Sequence, residues 1–135
     1  MDCLFCSISQ GEIPSSTLYE DEDVRVILDI NPAALGHALV IPKTHVPSLL
    51  EADDALLAKV FSVARQVGNR QIEVLDADGV NIFANCREAA GQTIDHFHVH
   101  VVPRYAGSPE KDVLSISQGE LEKPDFEALV EKLSF

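Results

Sequence analysis

Three of the chain's five histidines stand on alternate residues, at positions 96, 98 and 100 of the stretch DHFHVHVVPR. Successive side chains of a β-strand point to opposite faces, so this spacing puts the three imidazoles on one face and Phe97 and Val99 on the other. A neutral imidazole can act as a nucleophile, a proton carrier or a metal ligand near neutral pH. The spacing is typical of a catalytic strand, and equally of solvent-facing histidines or a metal-binding histidine tract.

A second group that could do chemistry is the CxxC pair formed by Cys3 and Cys6. Such a pair can be a redox centre, half of a zinc site or a chance spacing. An odd number of cysteines argues against a disulfide framework, and the third, Cys86, stands alone. Zinc needs four sulfur or nitrogen ligands, and the two remaining histidines, His37 and His45, are available beside the first histidine of the 96–100 stretch.

Composition and charge narrow the classes of partner. A chain of 135 residues suits one domain, and its net charge of −12 argues against a nucleic acid polymer as a ligand. No apolar run approaches the roughly 18 residues of a membrane span, and the acidic start MDCLFCSISQ does not resemble a secretory signal. We expect a cytoplasmic protein without nucleic acid or membrane partners. A small anionic ligand is compatible with this charge, because a few N–H groups and imidazoles can hold one phosphate.

The elements that must position these residues are short strands around one long helix. Apolar and β-branched runs predict strands over 16–20, 24–30, 37–42, 80–84 and 96–102, and the acidic DED joins the first two as a hairpin. Helical spacing of apolar residues within 51–75 predicts a long amphipathic helix with an acidic start near Asp53 and Asp54. A polar loop over 104–112 precedes a C-terminal helix that opens at Pro124 and Asp125. The sequence predicts an α+β fold, and no repeat or linker divides residues 1–135.

The stretch GQTIDHFHVHVVPRY, residues 91–105, resembles the signature of the histidine triad (HIT) family. Residues 3–45 are similar to the N-terminal half of Hint-like bacterial and archaeal members, so the resemblance covers about residues 3–105. It implies a HIT-like fold, with a five-stranded antiparallel sheet and one long helix, and a homodimer. The implied activity is hydrolysis or transfer of purine nucleoside monophosphates through a covalent nucleotidyl-histidine.

The resemblance also implies roles for individual residues. His98 attacks the α-phosphorus and His100 hydrogen-bonds the phosphate, while Gln92 and Thr93 supply uncharged donors where negative charge concentrates. Asp29 holds the ribose hydroxyls. Asn85 matches a phosphate-side amide, and four apolar residues match the wall of a broad purine pocket: Phe5, Ile8, Ile27 and Ile30.

Zinc-bearing members of the family suggest a closed structural Zn²⁺ site formed by Cys3, Cys6, His45 and His96. In that arrangement His37 supports the active site. The alternative is that His37 replaces His45 as the fourth ligand.

Several functions stay open. Asn85 and the stretch DINP resemble a phosphoramidase branch, whereas EAAGQT and VVPRY resemble a branch that cleaves dinucleoside polyphosphates. A zinc-stabilised nucleotide-binding module without turnover is a further alternative. A thiol oxidoreductase is disfavoured, because the CxxC lacks the strand-then-helix context of such enzymes.

Overall fold

The computed structural model describes residues 3–107 and 122–135. Within them one antiparallel sheet has the order β1-β2-β3-β5-β4 and helices cover both of its faces, which confirms the predicted α+β fold. The strands are β1 Thr17–Glu20, β2 Val24–Leu28, β3 Ala38–Pro42, β4 Gly79–Phe83 and β5 Val99–Arg104. The helices are α1 Leu4–Ser9, α2 Asp54–Leu75 and α3 Phe126–Leu133, with short 3₁₀ turns at Leu49–Glu51 and Glu88–Ala90.

The predicted hairpin of β1 and β2 is present and turns on Asp21. The Oδ1 atom of Asp21 accepts hydrogen bonds from the backbone N–H groups of Asp23, at 2.8 Å, and Val24, at 2.9 Å. A short acidic side chain that bonds the backbone two residues ahead is a common way to close a turn. The DED motif therefore closes the hairpin through its first residue.

The long helix α2 covers one face of the sheet. It begins after Asp53, as the acidic start near Asp53 and Asp54 predicts, and the Asp53 side chain accepts from the N–H of Leu56 at 2.8 Å. Residues 49–51 form a separate 3₁₀ turn before it. Its buried stripe packs on β3 and β5. The resulting core includes Val60, Val63, Ala64, Val67, Phe97, Val99 and Val101.

The histidine-bearing strand keeps the predicted alternation but begins later than predicted. Phe97, Val99 and Val101 point into the core under α2, so His96, His98 and His100 share the opposite face. Hydrogen bonding to β3 starts only at Val99, which pairs with Val40. Two residues further along, β3 offers Pro42, which has no N–H to donate, and the N–H of Phe97 instead donates to the carbonyl of Val46 at 2.8 Å.

The opposite face of the sheet is covered by α1, a helix that the sequence did not predict. Cys3 caps this helix, because its Sγ accepts from the N–H of Cys6 at 3.3 Å. Cysteine is not among the usual capping residues, so the sequence carried no clear start signal. The helix buries Phe5 and Ile8 in a second apolar cluster with Ile27, Leu39 and Ile41.

The C-terminal helix α3 is present as predicted. Its cap is Asp125, whose side chain accepts from the N–H of Ala128 at 3.2 Å. The predicted polar loop falls partly on residues 108–112, which lie outside the described residues. Among the helices that are described, none has the length and apolar character needed to cross a membrane.

Candidate active site and metal centre

A cavity of about 460 Å³ opens on the histidine-bearing face of the sheet. Its floor is apolar, and His98, His100, Thr93 and Asp29 lie on its wall. The four apolar residues predicted for a base pocket also line it. Phe5, Ile8 and Ile27 are buried there, whereas Ile30 is 92% exposed and lies at the mouth.

His98 is held with one defined nitrogen available. Its Nδ1 lies 2.7 Å from the carbonyl oxygen of His96, and since a carbonyl only accepts, Nδ1 must carry the proton. Burial lowers the pKa of His98, so the ring is neutral at pH 7. A neutral imidazole protonated on Nδ1 has a free lone pair on Nε2. Phe5 packs edge-on against the ring, with centroids 4.9 Å apart, and restricts its rotation.

His100 is fixed in the opposite tautomer through His37. The backbone N–H of Ala33 donates to Nδ1 of His37 at 3.0 Å, so the proton of the neutral His37 ring is on Nε2. That Nε2–H donates to Nδ1 of His100 at 3.0 Å, which leaves the His100 proton on its own Nε2. Burial lowers the pKa of both rings, that of His100 to about 4, so both are neutral at pH 7. The cavity therefore has a nucleophilic nitrogen on His98 beside an N–H donor on His100.

Phe83 holds the His100 ring from the neighbouring strand. Phe83 pairs with His100 in the β4–β5 register, and the rings stack with centroids 4.6 Å apart and planes 9° apart. The role of Phe83 could not be predicted from the sequence, because the pairing partner of a strand residue is set by register and not by spacing along the chain.

Asp29 follows β2 at the mouth of the cavity. Its Oδ1 accepts from the N–H of Asn31 at 2.8 Å, and its Oδ2 is 3.7 Å from Nε2 of His37. Asp29, His37 and His100 bring possible ligand atoms within 4.8 Å of one another, but the tautomers oppose a metal ion there. Nε2 of His37 carries a proton and has no lone pair to offer.

The loop over residues 84–93 borders the cavity, and the Gln92 side chain holds this loop in place through hydrogen bonds. The side chain is buried, and its Nε2 hydrogens donate to the carbonyls of Pro47, at 2.6 Å, and Ile94, at 2.9 Å. Its Oε1 accepts from the N–H of Arg87 at 2.8 Å. Both amide hydrogens are thus used within the protein, so in this conformation Gln92 has none left for a phosphate.

Two other polar residues predicted for the phosphate side lie on the same loop. Thr93 is exposed and lines the cavity, and Asn85 is half-buried with its Nδ2 3.4 Å from the carbonyl of Gly91. Neither side chain is buried with its polar atoms fully bonded to the backbone, as Gln92 is. Thr93 can therefore contact an anion in the cavity, whereas Asn85 is not among the residues that line it.

The second cluster brings the CxxC pair next to two histidines. Cys3, Cys6, His45 and His96 have ligand atoms within 4.8 Å of one another. Sγ of Cys3 and Nδ1 of His96 are 3.3 Å apart, Sγ of Cys6 and Nδ1 of His45 are 3.3 Å apart, and the two Nδ1 atoms are 3.1 Å apart. His37 belongs to the active-site chain and not to this cluster.

These separations fit a tetrahedral zinc site. Zinc bonded to sulfur and imidazole nitrogen at ordinary lengths separates the ligand atoms by roughly 3.4–3.6 Å. His96 is oriented for ligation, because its Nε2 lies 2.8 Å from the carbonyl of Pro42 and must carry the proton, which leaves Nδ1 free. The donor set of two thiols and two imidazoles is typical of structural zinc sites.

The same cluster argues against a redox role for the CxxC pair. Burial and the neighbouring Cys3 thiol raise the pKa of Cys6 to about 11. Thiol oxidoreductases depend on a lowered cysteine pKa, because the thiolate is the reactive form.

Comparison with known proteins gives the same family as the motif. The HIT domain family matches residues 10–107. An uncharacterized HIT-like protein of Methanocaldococcus jannaschii is 39% identical over 132 residues, 97% of this chain and 98% of its own. The adenylylsulfatase HINT3 of Arabidopsis thaliana is 40% identical over 117 residues, 87% of this chain and 57% of its own.

A solved structure extends the comparison to the metal. The zinc-bound histidine triad family protein from Mycobacterium smegmatis superposes with a TM-score of 0.78 at 43% identity, covering 82% of this chain and 81% of its own. The residues matched by the HIT domain family include the three alternating histidines and the cavity lining apart from Leu4, Phe5 and Ile8. This chain belongs to the HIT domain family.

Proposed function

We propose that the protein is a nucleotide hydrolase or transferase that acts at the α-phosphate of purine nucleotides through a nucleotidyl-histidine on His98. The observation that carries the proposal is the pair of opposite tautomers in one cavity, a bare Nε2 on His98 beside an N–H on His100. A neutral nucleophile and a neutral donor side by side suit displacement at a phosphate, where attack and charge stabilisation must occur together.

The reaction has two steps. Nε2 of His98 attacks the α-phosphorus, the P–N bond forms, and the bond to the leaving group breaks as that group takes a proton from solvent water. Water then attacks the same phosphorus and releases a proton to solvent, the P–N bond breaks, and the nucleoside monophosphate departs while His98 regains its lone pair. One difficult displacement is replaced by two easier ones.

The surrounding residues support a nucleotide as the substrate. The apolar floor suits a purine ring, and the Asp29 carboxylate at the mouth suits the two ribose hydroxyls. Thr93 and Asn85 supply uncharged donors for the phosphate, while Gln92 keeps the loop that carries them in place.

We further propose that Cys3, Cys6, His45 and His96 hold a structural Zn²⁺ ion. When bound, it would cross-link α1 to the segment before β5 and supply no group to the reaction. The zinc-bound relative from Mycobacterium smegmatis and the fit of the four ligand atoms support this assignment.

A homodimer is the third part of the proposal. In the described sheet β4 is an edge strand, with Ile82 41% exposed, and Ile72 on the adjoining helix is 45% exposed. An edge strand with apolar neighbours suits pairing with a second copy. Light scattering at micromolar concentration should give twice the 14.7 kDa of one chain, and Ile82→Glu should shift it to the monomer. A wild-type monomer would refute the dimer.

The test of activity is AMP release from three substrates measured side by side: adenosine phosphoramidate, adenylyl sulfate and a diadenosine polyphosphate. The similarity to an Arabidopsis adenylylsulfatase is the reason to include adenylyl sulfate. Release from at least one substrate, abolished in His98→Ala, supports the proposal. AMP binding without turnover on all three would favour a nucleotide-binding module instead.

A further inference from the structure

Arg87 lies in the loop beside the cavity, and the proposed reaction gives its side chain no role. Its Nη1 donates to Oγ of Ser48 at 2.8 Å and to Oε1 of Glu51 at 2.8 Å, and its Nη2 donates to Oε2 of Glu51 at 3.2 Å. A forked pair of this kind fixes orientation as well as distance. The contact joins the loop to the 3₁₀ turn at Leu49–Glu51, 36 residues earlier in the chain.

The backbone of Arg87 has a conformation that glycine adopts freely and other residues avoid. Its φ is 81° and its ψ is 158°. A non-glycine residue stays in this region only where its surroundings hold it there. In this conformation the N–H of Arg87 donates to Oε1 of Gln92 at 2.8 Å, and the carbonyl of Arg87 accepts from the N–H of Gln92 at 3.1 Å.

The segment that Arg87 contacts, residues 48–51, is held by hydrogen bonds of its own. Ser48 is 1% exposed, and its Oγ accepts from the N–H of Leu50 at 3.1 Å while it donates to the Glu51 carboxylate at 3.0 Å. The preceding residues bond to both sides of the site, since Val46 accepts from Phe97 and Pro47 accepts from Gln92. Residues 45–51 thus brace the histidine strand and the loop together.

We infer that Arg87 is a positioning residue: paired with Glu51, it holds the loop that presents Asn85 and Thr93 to the phosphate. The inference rests on the phosphate roles of those two residues in the proposed function. The guanidinium is already neutralised by Glu51 and bonded to Ser48, so it acts through the loop and not as a phosphate contact.

The experiment compares Glu51→Gln and Arg87→Gly, and glycine tolerates the φ of residue 87. Both should lower kcat by about 10-fold or more with KM changed by less than about 3-fold, because loss of alignment at a reacting group costs up to about 100-fold per ångström. The matched control is Glu73→Gln, which breaks the exposed Arg70–Glu73 pair at 4.0 Å on α2 and should leave turnover unchanged.

Two further variants separate positioning from a general loss of stability. Arg87→Lys keeps the charge but not the fork, so it should recover part of the kcat that Arg87→Gly loses. The double variant should lose no more than the larger single loss, because both changes remove one interaction.

The direction in which each variant changes AMP affinity distinguishes positioning of the loop from direct contact of Arg87 with the phosphate. If Arg87 contacted the phosphate, Glu51→Gln would free the guanidinium and tighten AMP binding while Arg87→Gly weakened it. Opposite effects of this kind would overturn the inference.

A measurement without turnover completes the test. Exchange of the Arg87 backbone N–H, followed by NMR, should accelerate about 10-fold in Glu51→Gln and stay unchanged in Glu73→Gln. Unchanged exchange would overturn the inference. Faster exchange in a protein whose wild type releases no AMP would leave the loop contact standing and refute the proposed function.

Discussion

His37 donates a hydrogen bond from Nε2 to Nδ1 of His100 at 3.0 Å, across 63 positions of sequence. Because the N–H of Ala33 occupies the other nitrogen of His37, this contact decides that His100 presents an N–H and not a lone pair to the cavity. The donor at the proposed phosphate site is therefore set from the loop before β3.

Removing the His37–His100 hydrogen bond should lower turnover without preventing the substrate from binding. We expect His37→Leu to reduce kcat by roughly 10- to 100-fold, the size of effect seen when a group that orients a ligand imidazole is lost. His37→Gln should retain more activity, since its amide can still donate to His100. Nitrogen chemical shifts of His100 report the tautomer directly. An unchanged His100 tautomer together with unchanged kcat in His37→Leu would contradict the role of His37 in fixing that tautomer.

The three alternating histidines should differ in their effects on the covalent intermediate. His98→Ala should abolish it, because no neighbouring nitrogen can attack in its place. His100→Ala should leave some intermediate and lower the rate by roughly 10²- to 10³-fold, the cost of losing one donor to the developing charge. His96→Ala should act mainly through metal loss. Mass spectrometry of protein quenched during turnover would show the AMP adduct, and an adduct in the His98 variant would reverse the assignment.

Activity should resist acid down to an unusually low pH. Burial lowers the pKa of His100 from 6.5 to about 4, and the nearby His98 and His37 rings add to the effect. Protonation of His100 would add a proton at Nδ1, where His37 donates, and would not remove the N–H on Nε2. Attack needs the lone pair on Nε2 of His98, and burial lowers the pKa of His98 as well, so turnover should fall only below the ordinary pKa of histidine. A pH profile of kcat that falls with a midpoint near 6.5, the ordinary value for histidine, would disagree with this burial.

The same shift predicts how stability depends on pH. The unfolded imidazole binds a proton below about 6.5, whereas the folded one stays neutral until about 4, so the free energy of unfolding decreases as the pH falls through that window. His100→Gln removes this contribution and should lose less stability between pH 7 and pH 5 than the wild type does. Urea titrations at pH 7 and pH 5 measure the change in the free energy of unfolding for each protein. An equal change in wild type and His100→Gln would contradict this prediction.

Loss of a zinc ligand should affect stability more than chemistry. Cys3→Ser should lower zinc content well below one ion per chain, and a loss of about 2 kcal/mol would lower Tm by roughly 5–10 °C in a domain of this size. The kcat of the protein that remains folded should change less. Cys86→Ser is the matched control, because Cys86 lies outside the cluster. Elemental analysis and calorimetry decide the matter, and a zinc-free wild type would refute the site.

Features that depend on near neighbours in the chain could be predicted from the sequence alone. The period of two placed His96, His98 and His100 on one face, because strand geometry alternates whatever surrounds it. The acidic turn at Asp21 and the cap at Asp125 were readable for the same reason. The HIT motif then brought the cavity, the CxxC pair and His45 into one expected arrangement.

Features that depend on partners distant in the chain could not be predicted from the sequence. The end of hydrogen bonding at Val99 follows from Pro42 on the adjacent strand, and the short helix α1 from a cysteine cap that no residue preference predicts. Gln92 was predicted as a phosphate donor, yet its amide is used by Pro47 and Ile94.

Protonation was decided in the same way. His96, His98 and His100 are the same residue type at equivalent spacing, and the sequence gives no reason for their free nitrogens to differ. The carbonyls of Pro42 and His96 and the imidazole of His37 assign one proton to each ring. A neutral imidazole has a single N–H, so the partner that meets one nitrogen fixes what the other can do, and only the folded chain supplies that partner.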